Sequence, residues 1–165
     1  MWPDALRNES LLDRFWEYIP WDAVGARAVG HAKPVTDPFF ILHDSRSGST
    51  FLADLLVRHT GVAIPPESNV LPRVLKKCRS NRIATRRDLR RIIRIVFQEE
   101  KFRDWKLPRA EVYGALRDPL PFDRAAFFAR LFGLWRARHA PQAPLFGVKK
   151  GSYAENHEAI VGMFP

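Results

Sequence analysis

Phe39-Phe40-Ile41-Leu42-His43-Asp44-Ser45-Arg46-Ser47-Gly48-Ser49-Thr50-Phe51-Leu52-Ala53-Asp54-Leu55-Leu56 is the stretch that decides the fold. An apolar run, Phe39 to His43, reads as a strand. It enters a short polar turn, Asp44–Gly48, and then a segment with apolar residues at Phe51, Leu52, Leu55 and Leu56, which is helical spacing. A strand, a tight turn of small residues and a helix together make an anion site. Successive backbone N–H groups from Arg46 to Thr50 converge on one concavity at the helix N-terminus, where the dipole favours negative charge. Gly48 lets a ligand approach the backbone, Ser47, Ser49 and Thr50 add hydroxyls, and Arg46 adds a fixed positive charge. The chemistry is that of a phosphate or sulfate cradle.

The nucleotide-binding loop with Lys directly before Ser/Thr does not fit, because Gly48 is followed by Ser49 and the cation precedes the glycine. The stretch instead resembles the 5′-phosphosulfate loop of sulfotransferases that use 3′-phosphoadenosine-5′-phosphosulfate (PAPS), commonly Pro-Arg/Lys-Ser-Gly-Thr-Thr after a hydrophobic strand. Ser45 stands where Pro is usual, and Ser49 replaces Thr. The next segment, His59 to Ser68 with Pro65-Pro66-Glu67-Ser68, resembles the family's "HPxVxxPPES" block, and Val70-Leu71-Pro72-Arg73-Val74-Leu75 continues it. In the branch similar to tyrosylprotein sulfotransferases, the corresponding Glu is the general base and a nearby Arg contacts substrate. The resemblance places these roles on Glu67 and Arg73. Phe146-Gly147-Val148-Lys149-Lys150 and the run to Met163-Phe164-Pro165 resemble the "GxKxP…LFP" block, which brings a lysine to the transferring group. Counting back from Phe164-Pro165 selects Lys149, with Lys150 as the alternative and Gly151 where Pro is usual.

The resemblance therefore spans Asp37 to Pro165 and divides the chain into a helical lead-in and linker, 1–36, and a partial sulfotransferase-like domain, 37–165. It implies an α/β fold of the P-loop-like type, a three-layer parallel sheet flanked by helices, apparently incomplete at the C-terminus. In the family a further strand and an Arg-Asp turn for the 3′-phosphate follow the last block, so the expectation is the N-terminal part of a longer enzyme. It implies PAPS as donor, no metal, and an acceptor bearing a hydroxyl or amine. The cofactor loop is Arg46, Ser47, Gly48, Ser49 and Thr50; the catalytic set is Glu67, Lys149 and Arg46, with Arg73 on the substrate.

Each residue has a plainer reading beside this one. Glu67 suits an exposed turn or an acidic helix cap, Lys149 and Lys150 suit a solvated surface, and basic residues surround Arg73. His43, at the strand end, reads as a core or surface histidine. The five histidines have no metal-ligand spacing, and the lone Cys78 makes no cluster.

With 165 residues and 46% hydrophobic content, the chain has enough apolar matter for one core but not comfortably for two domains. No apolar run is long enough to span a membrane, and the first residues carry no signal-peptide pattern. A single cysteine fits a reducing compartment, which makes cytoplasmic the default location. The formal charge of +9 favours anionic partners. Much of that excess lies between Arg73 and Arg94, where Leu89, Ile92, Ile93, Val96 and Phe97 recur at helical spacing. A solvated basic face is the preferred reading of that run, and nucleic-acid binding the sharper but less favoured one. Two rival functions remain on the sequence: an atypical P-loop kinase, and a noncatalytic anion- or nucleic-acid-binding fragment.

Further helices are expected at Val70–Lys77, Arg86–Glu100, Asp123–His139 and Tyr153–Met163, with a strand at Leu145–Val148. Residues 101–121 give no clear periodicity. Leu11, Leu12, Phe15, Trp16 and Ile19 form an apolar stripe in the lead-in.

Overall fold

Two short apolar segments from opposite ends of the domain meet in parallel: β1 (Phe39–Ile41) and β4 (Gly147–Lys149), with Phe39 opposite Gly147, Phe40 opposite Val148 and Ile41 opposite Lys149. The protein is seen here in a computed structural model that describes residues 32–165; the helical lead-in expected before them lies almost wholly outside the described residues. On its other side β4 is flanked by Ala63, which bridges Phe146 in parallel through Ala63 N–H to the Leu145 carbonyl and Gly147 N–H to the Ala63 carbonyl, both 2.9 Å. With neighbours on both sides, β4 is buried throughout. Gly147 is required at this position, because a Cβ there would run into the Phe39 ring.

The connection between β1 and β4 is mostly helical: α1 (Ser49–Thr60), α2 (Val70–Lys77), α3 (Arg86–Phe97), α4 (Arg109–Arg117) and α5 (Arg124–His139). A small antiparallel pair, β2 (Arg82–Ile83) with β3 (Phe122–Asp123), closes the far side. After β4 a 3-10 turn, Gly151–Asn156, leads into α6 (His157–Met163).

Local signals explain the helix starts. Thr85 caps α3 with a reciprocal box: its side chain accepts from the Asp88 N–H while Asp88 accepts from the Thr85 N–H. Asp123 caps α5 by accepting from the Ala126 N–H at 2.8 Å. Of the expected α3 stripe, Leu89, Ile92, Ile93 and Val96 are buried and Phe97 is half-buried, while Arg86, Arg87 and Arg91 face solvent. Arg90 lies over the Tyr113 ring at 6.0 Å, a cation–π contact.

An aromatic chain joins the helices to the sheet. Trp105 meets Phe102, Phe132 and Trp135; Phe132 stacks on Phe146 at 5.2 Å; and Phe40 reaches Tyr153 and Phe164. Phe127, Phe128, Leu131, Phe132 and Trp135 of α5 are therefore core. By contrast α1 buries Ala53 and leaves Phe51, Leu52 and Leu55 exposed, Phe51 at 69%.

The structure corrects several boundaries. The helix expected over Arg86–Glu100 stops at Phe97, and a separate 3-10 turn, Glu100–Trp105, follows so that Phe102 and Trp105 can turn inward. The ambiguous 101–121 stretch contains this turn and α4. The final helix begins at His157 rather than Tyr153, whose ring is buried within the 3-10 turn. The second strand lies at 147–149, two residues later than expected at its start: the Leu145 carbonyl accepts from Ala63 N–H at 2.9 Å, and the Phe146 carbonyl from Phe39 N–H at 3.1 Å, ahead of the regular ladder. The fold is mixed α/β with a small parallel sheet; among the described residues the parallel ladder consists of β1, β4 and the Ala63 bridge.

Candidate functional site

The turn between β1 and α1 has the backbone geometry of an anion cradle. Arg46 and Gly48 both adopt the left-handed conformation, with φ of 61° and 76°. For Gly48 this costs nothing; for Arg46 it is a conformation few non-glycine residues adopt outside special turns. Alternating handedness turns successive N–H groups toward one side. The start of α1 has no side-chain cap and no acidic residue in its first turn, so its free N–H groups and dipole are left for an external anion. Arg46, Ser47 and Gly48 are exposed, Ser49 is half-buried and Thr50 is exposed.

Thr50 connects this loop to the rest of the site. Its hydroxyl accepts a hydrogen bond from Lys149 Nζ at 3.0 Å, and the same Nζ lies 2.6 Å from Glu67 Oε1. Lys149 is the last residue of β4, and its side chain is only 7% exposed. A buried ammonium requires compensation, and Glu67 supplies it. Lys150, just past the strand, brings its Nζ to 3.2 Å from the other carboxylate oxygen of Glu67. The sequence offered Lys149 and Lys150 as alternatives; both reach Glu67, and Lys149 is the one that also touches the loop.

Glu67 is held by its neighbours. The Pro66 carbonyl accepts from Trp105 Nε1 at 2.8 Å, the Ser68 carbonyl from the Tyr153 hydroxyl at 3.2 Å, and Asn69 Oδ1 from Ser152 Oγ at 2.9 Å. Burial keeps the Tyr153 phenol protonated, with its pKa pushed well up, so it remains a donor. A residue tied on both sides through its chain neighbours is not a loose turn carboxylate.

Partial burial alone would raise the Glu67 carboxyl, but the hydrogen bonds and charges of Lys149 and Lys150 outweigh it and hold the pKa below its ordinary value of 4.5. A depressed carboxylate stabilises the fold above its ordinary pKa, and that contribution is lost as pH falls through the lowered value. Acid unfolding followed by circular dichroism should therefore show Glu67→Gln with a flatter loss of stability below pH 4.5 than the unaltered protein. Parallel acid limbs would mean that the pairing does not contribute.

His43 also faces this carboxylate, with Nε2 at 3.6 Å from Glu67 Oε1. Sequence reading set His43 aside, because only the placing of β1 and the Ala63 segment on opposite sides of β4 brings its ring to Glu67. Arg73 is not brought in: it lies on α2 one turn beyond Asn69, half-buried, and no hydrogen bond or ion pair joins it to Glu67 or to the loop. Among the described residues, no group of three or more His, Cys, Asp or Glu side chains is placed to hold a metal ion, and no helix is long and apolar enough to cross a membrane.

The arrangement brings an anion cradle, a buried cation and a carboxylate into one continuous set of contacts. It can hold a multiply charged anion at the loop, place positive charge beside it, and present a proton acceptor at its edge. A sequence profile described as the Sulfotransferase family matches residues 38–165. No curated protein and no solved structure matches the chain.

Proposed function

The chain belongs to the sulfotransferase family, and from that premise we propose that its site transfers a sulfuryl group from PAPS to a hydroxyl- or amine-bearing acceptor. The observation that carries this reading is Lys149, whose one ammonium joins Thr50 of the anion loop to Glu67. The residues present fit the donor. A phosphosulfate needs convergent N–H groups and fixed positive charge, and the left-handed Arg46 and Gly48, the uncapped start of α1 and the buried Lys149 supply both.

When bound, PAPS supplies an activated sulfuryl group on a phosphate leaving group. Arg46 and the N–H groups from Arg46 to Thr50 would bind and orient that anion. Lys149 would place its charge where negative charge grows on the oxygens around sulfur, in a largely buried position where such charge is worth most. Positioning dominates in reactions of this kind, because little bonding to the attacking and leaving atoms persists midway. Glu67 would accept the acceptor's proton. Lys150 would hold the second carboxylate oxygen and keep the first directed toward Lys149 and the loop.

Binding of 3′-phosphoadenosine-5′-phosphate measured by calorimetry tests the loop. Arg46→Ala removes one charged donor worth roughly 1.5–3 kcal/mol, so affinity is expected to fall about 10- to 100-fold. Unchanged affinity would sink the loop assignment. Thermal protection by ATP with magnesium, and none by this nucleotide, would favour a kinase instead.

A further inference from the structure

We propose that His43 is the proton store of this site: Glu67 takes the proton from the acceptor and passes it to Nε2 of His43, so that the carboxylate is recharged between its two lysines. The inference rests on the sulfotransferase reading above and adds a residue to it.

The argument begins with the tautomer. His43 Nδ1 lies 3.1 Å from the Asp44 carbonyl oxygen. A carbonyl only accepts, so Nδ1 carries a hydrogen. In the neutral ring the lone pair is therefore at Nε2. That atom is buried, has no hydrogen-bond partner, and faces Glu67 Oε1 at 3.6 Å. A lone pair set against a carboxylate is unfavourable, whereas a proton placed there turns the contact into an ion pair. The ring thus has one place for a proton, and that place is directed at the carboxylate.

The remaining groups around His43 leave little alternative. Glu67 approaches from the segment before α2, and Lys149 and Lys150 reach the same carboxylate from β4 and just beyond it. Asp44, on the histidine's own loop, contributes its backbone carbonyl. The 3-10 turn contributes Gly151, where a Cβ would stand 2.8 Å from the His43 carbonyl and 3.6 Å from the ring. Glycine at this position, where the family block has proline, lets the turn close over the ring.

Glu67 is poorly suited to keep the proton. Protonation would remove the countercharge of Lys149, a buried cation, together with that of Lys150. The depressed pKa of Glu67 points the same way. In the balanced step, the acceptor oxygen bonds to sulfur and the bond between sulfur and the phosphate oxygen breaks, leaving 3′-phosphoadenosine-5′-phosphate. The acceptor's proton moves to Glu67 Oε1 and then, after a small rotation of that side chain, to His43 Nε2. It is lost to solvent after the product leaves.

Long-range proton–nitrogen correlation spectra of the imidazoles, recorded across pH with 3′-phosphoadenosine-5′-phosphate bound, test this without a known acceptor. The expected result is an Nδ1–H tautomer with the lone pair at Nε2, and an Nε2 signal that changes in Glu67→Gln. An Nε2–H tautomer, or an Nε2 signal indifferent to Glu67→Gln, overturns the proposal. A second readout is release of sulfate from labelled PAPS to water. His43→Gln should slow it by roughly 100-fold and change its pH profile, while leaving nucleotide affinity unchanged. A wild-type pH profile in His43→Gln overturns the relay even if nucleotide binding is intact. A wild-type chain that does not bind the nucleotide overturns the sulfotransferase reading itself, and the relay with it.

Discussion

Glu67→Gln is expected to lower sulfuryl transfer by roughly 10²- to 10⁴-fold, the usual contribution of a positioned proton acceptor, while nucleotide binding persists. Gln keeps the shape of the side chain and one acceptor oxygen but cannot take a proton. It also cannot balance Lys149 and Lys150, which contact Glu67 at 2.6 and 3.2 Å. Lys149 would be left with neutral partners alone, the Thr50 hydroxyl and the amide oxygen of the Gln. Loss of one partner from a buried pair costs about 3–5 kcal/mol, but the Glu67 side chain is 26% exposed, so solvent screening lowers the expected loss to about 1–3 kcal/mol. The sign of a third effect is the most telling. A bound polyanion supplies the countercharge that Gln lacks, so 3′-phosphoadenosine-5′-phosphate should raise the melting temperature of the variant more than that of the unaltered protein. Equal shifts would separate Lys149 from the anion site, and undiminished turnover would remove Glu67 from the chemistry.

Trp105→Ala carries the largest expected loss of stability, about 3–5 kcal/mol, measured by denaturant unfolding. The side chain is 1% exposed and joins Phe102, Phe132 and Trp135 in the aromatic core. Its Nε1–H donates to the Pro66 carbonyl at 2.8 Å, and its own carbonyl lies 3.0 Å from His139 Nε2. Trp105→Phe separates the two roles. It keeps most of the apolar volume and loses the donor to Pro66, a change of about 1 kcal/mol in stability. Because Pro66 precedes Glu67, that variant should lose more activity than its small stability change accounts for. Equal activity in Trp105→Phe would show that Pro66 is positioned without the indole.

The Phe39–Leu56 stretch was legible because its signals are local. A run of apolar residues, a small polar turn with one glycine, and a helical period determine one another within a few residues, and the left-handed Gly48 and the helix from Ser49 follow. The same holds for the apolar spacing of α3. The 101–121 region was not legible. Phe102 and Trp105 obey no helical or strand period there; they turn inward because Phe132 and Trp135 leave room for them. The count back from Phe164-Pro165 selects Lys149 over Lys150, but a joint role was not legible, since adjacent residues at a strand end ordinarily diverge, yet Lys149 and Lys150 converge on one carboxylate.

By itself the sequence determined the strand, turn and helix of residues 39–60, the family and the main helices, because each rests on residues close together in the chain or on a motif of fixed spacing. Tertiary structure alone decided the site. Pairing of β1 with β4 sets Ile41 beside Lys149, which brings Thr50, Lys149 and Glu67 into contact and turns His43 toward them. Contacts between residues so far apart in the chain depend on how a sheet and its helices close over one core, and no local pattern encodes that closure.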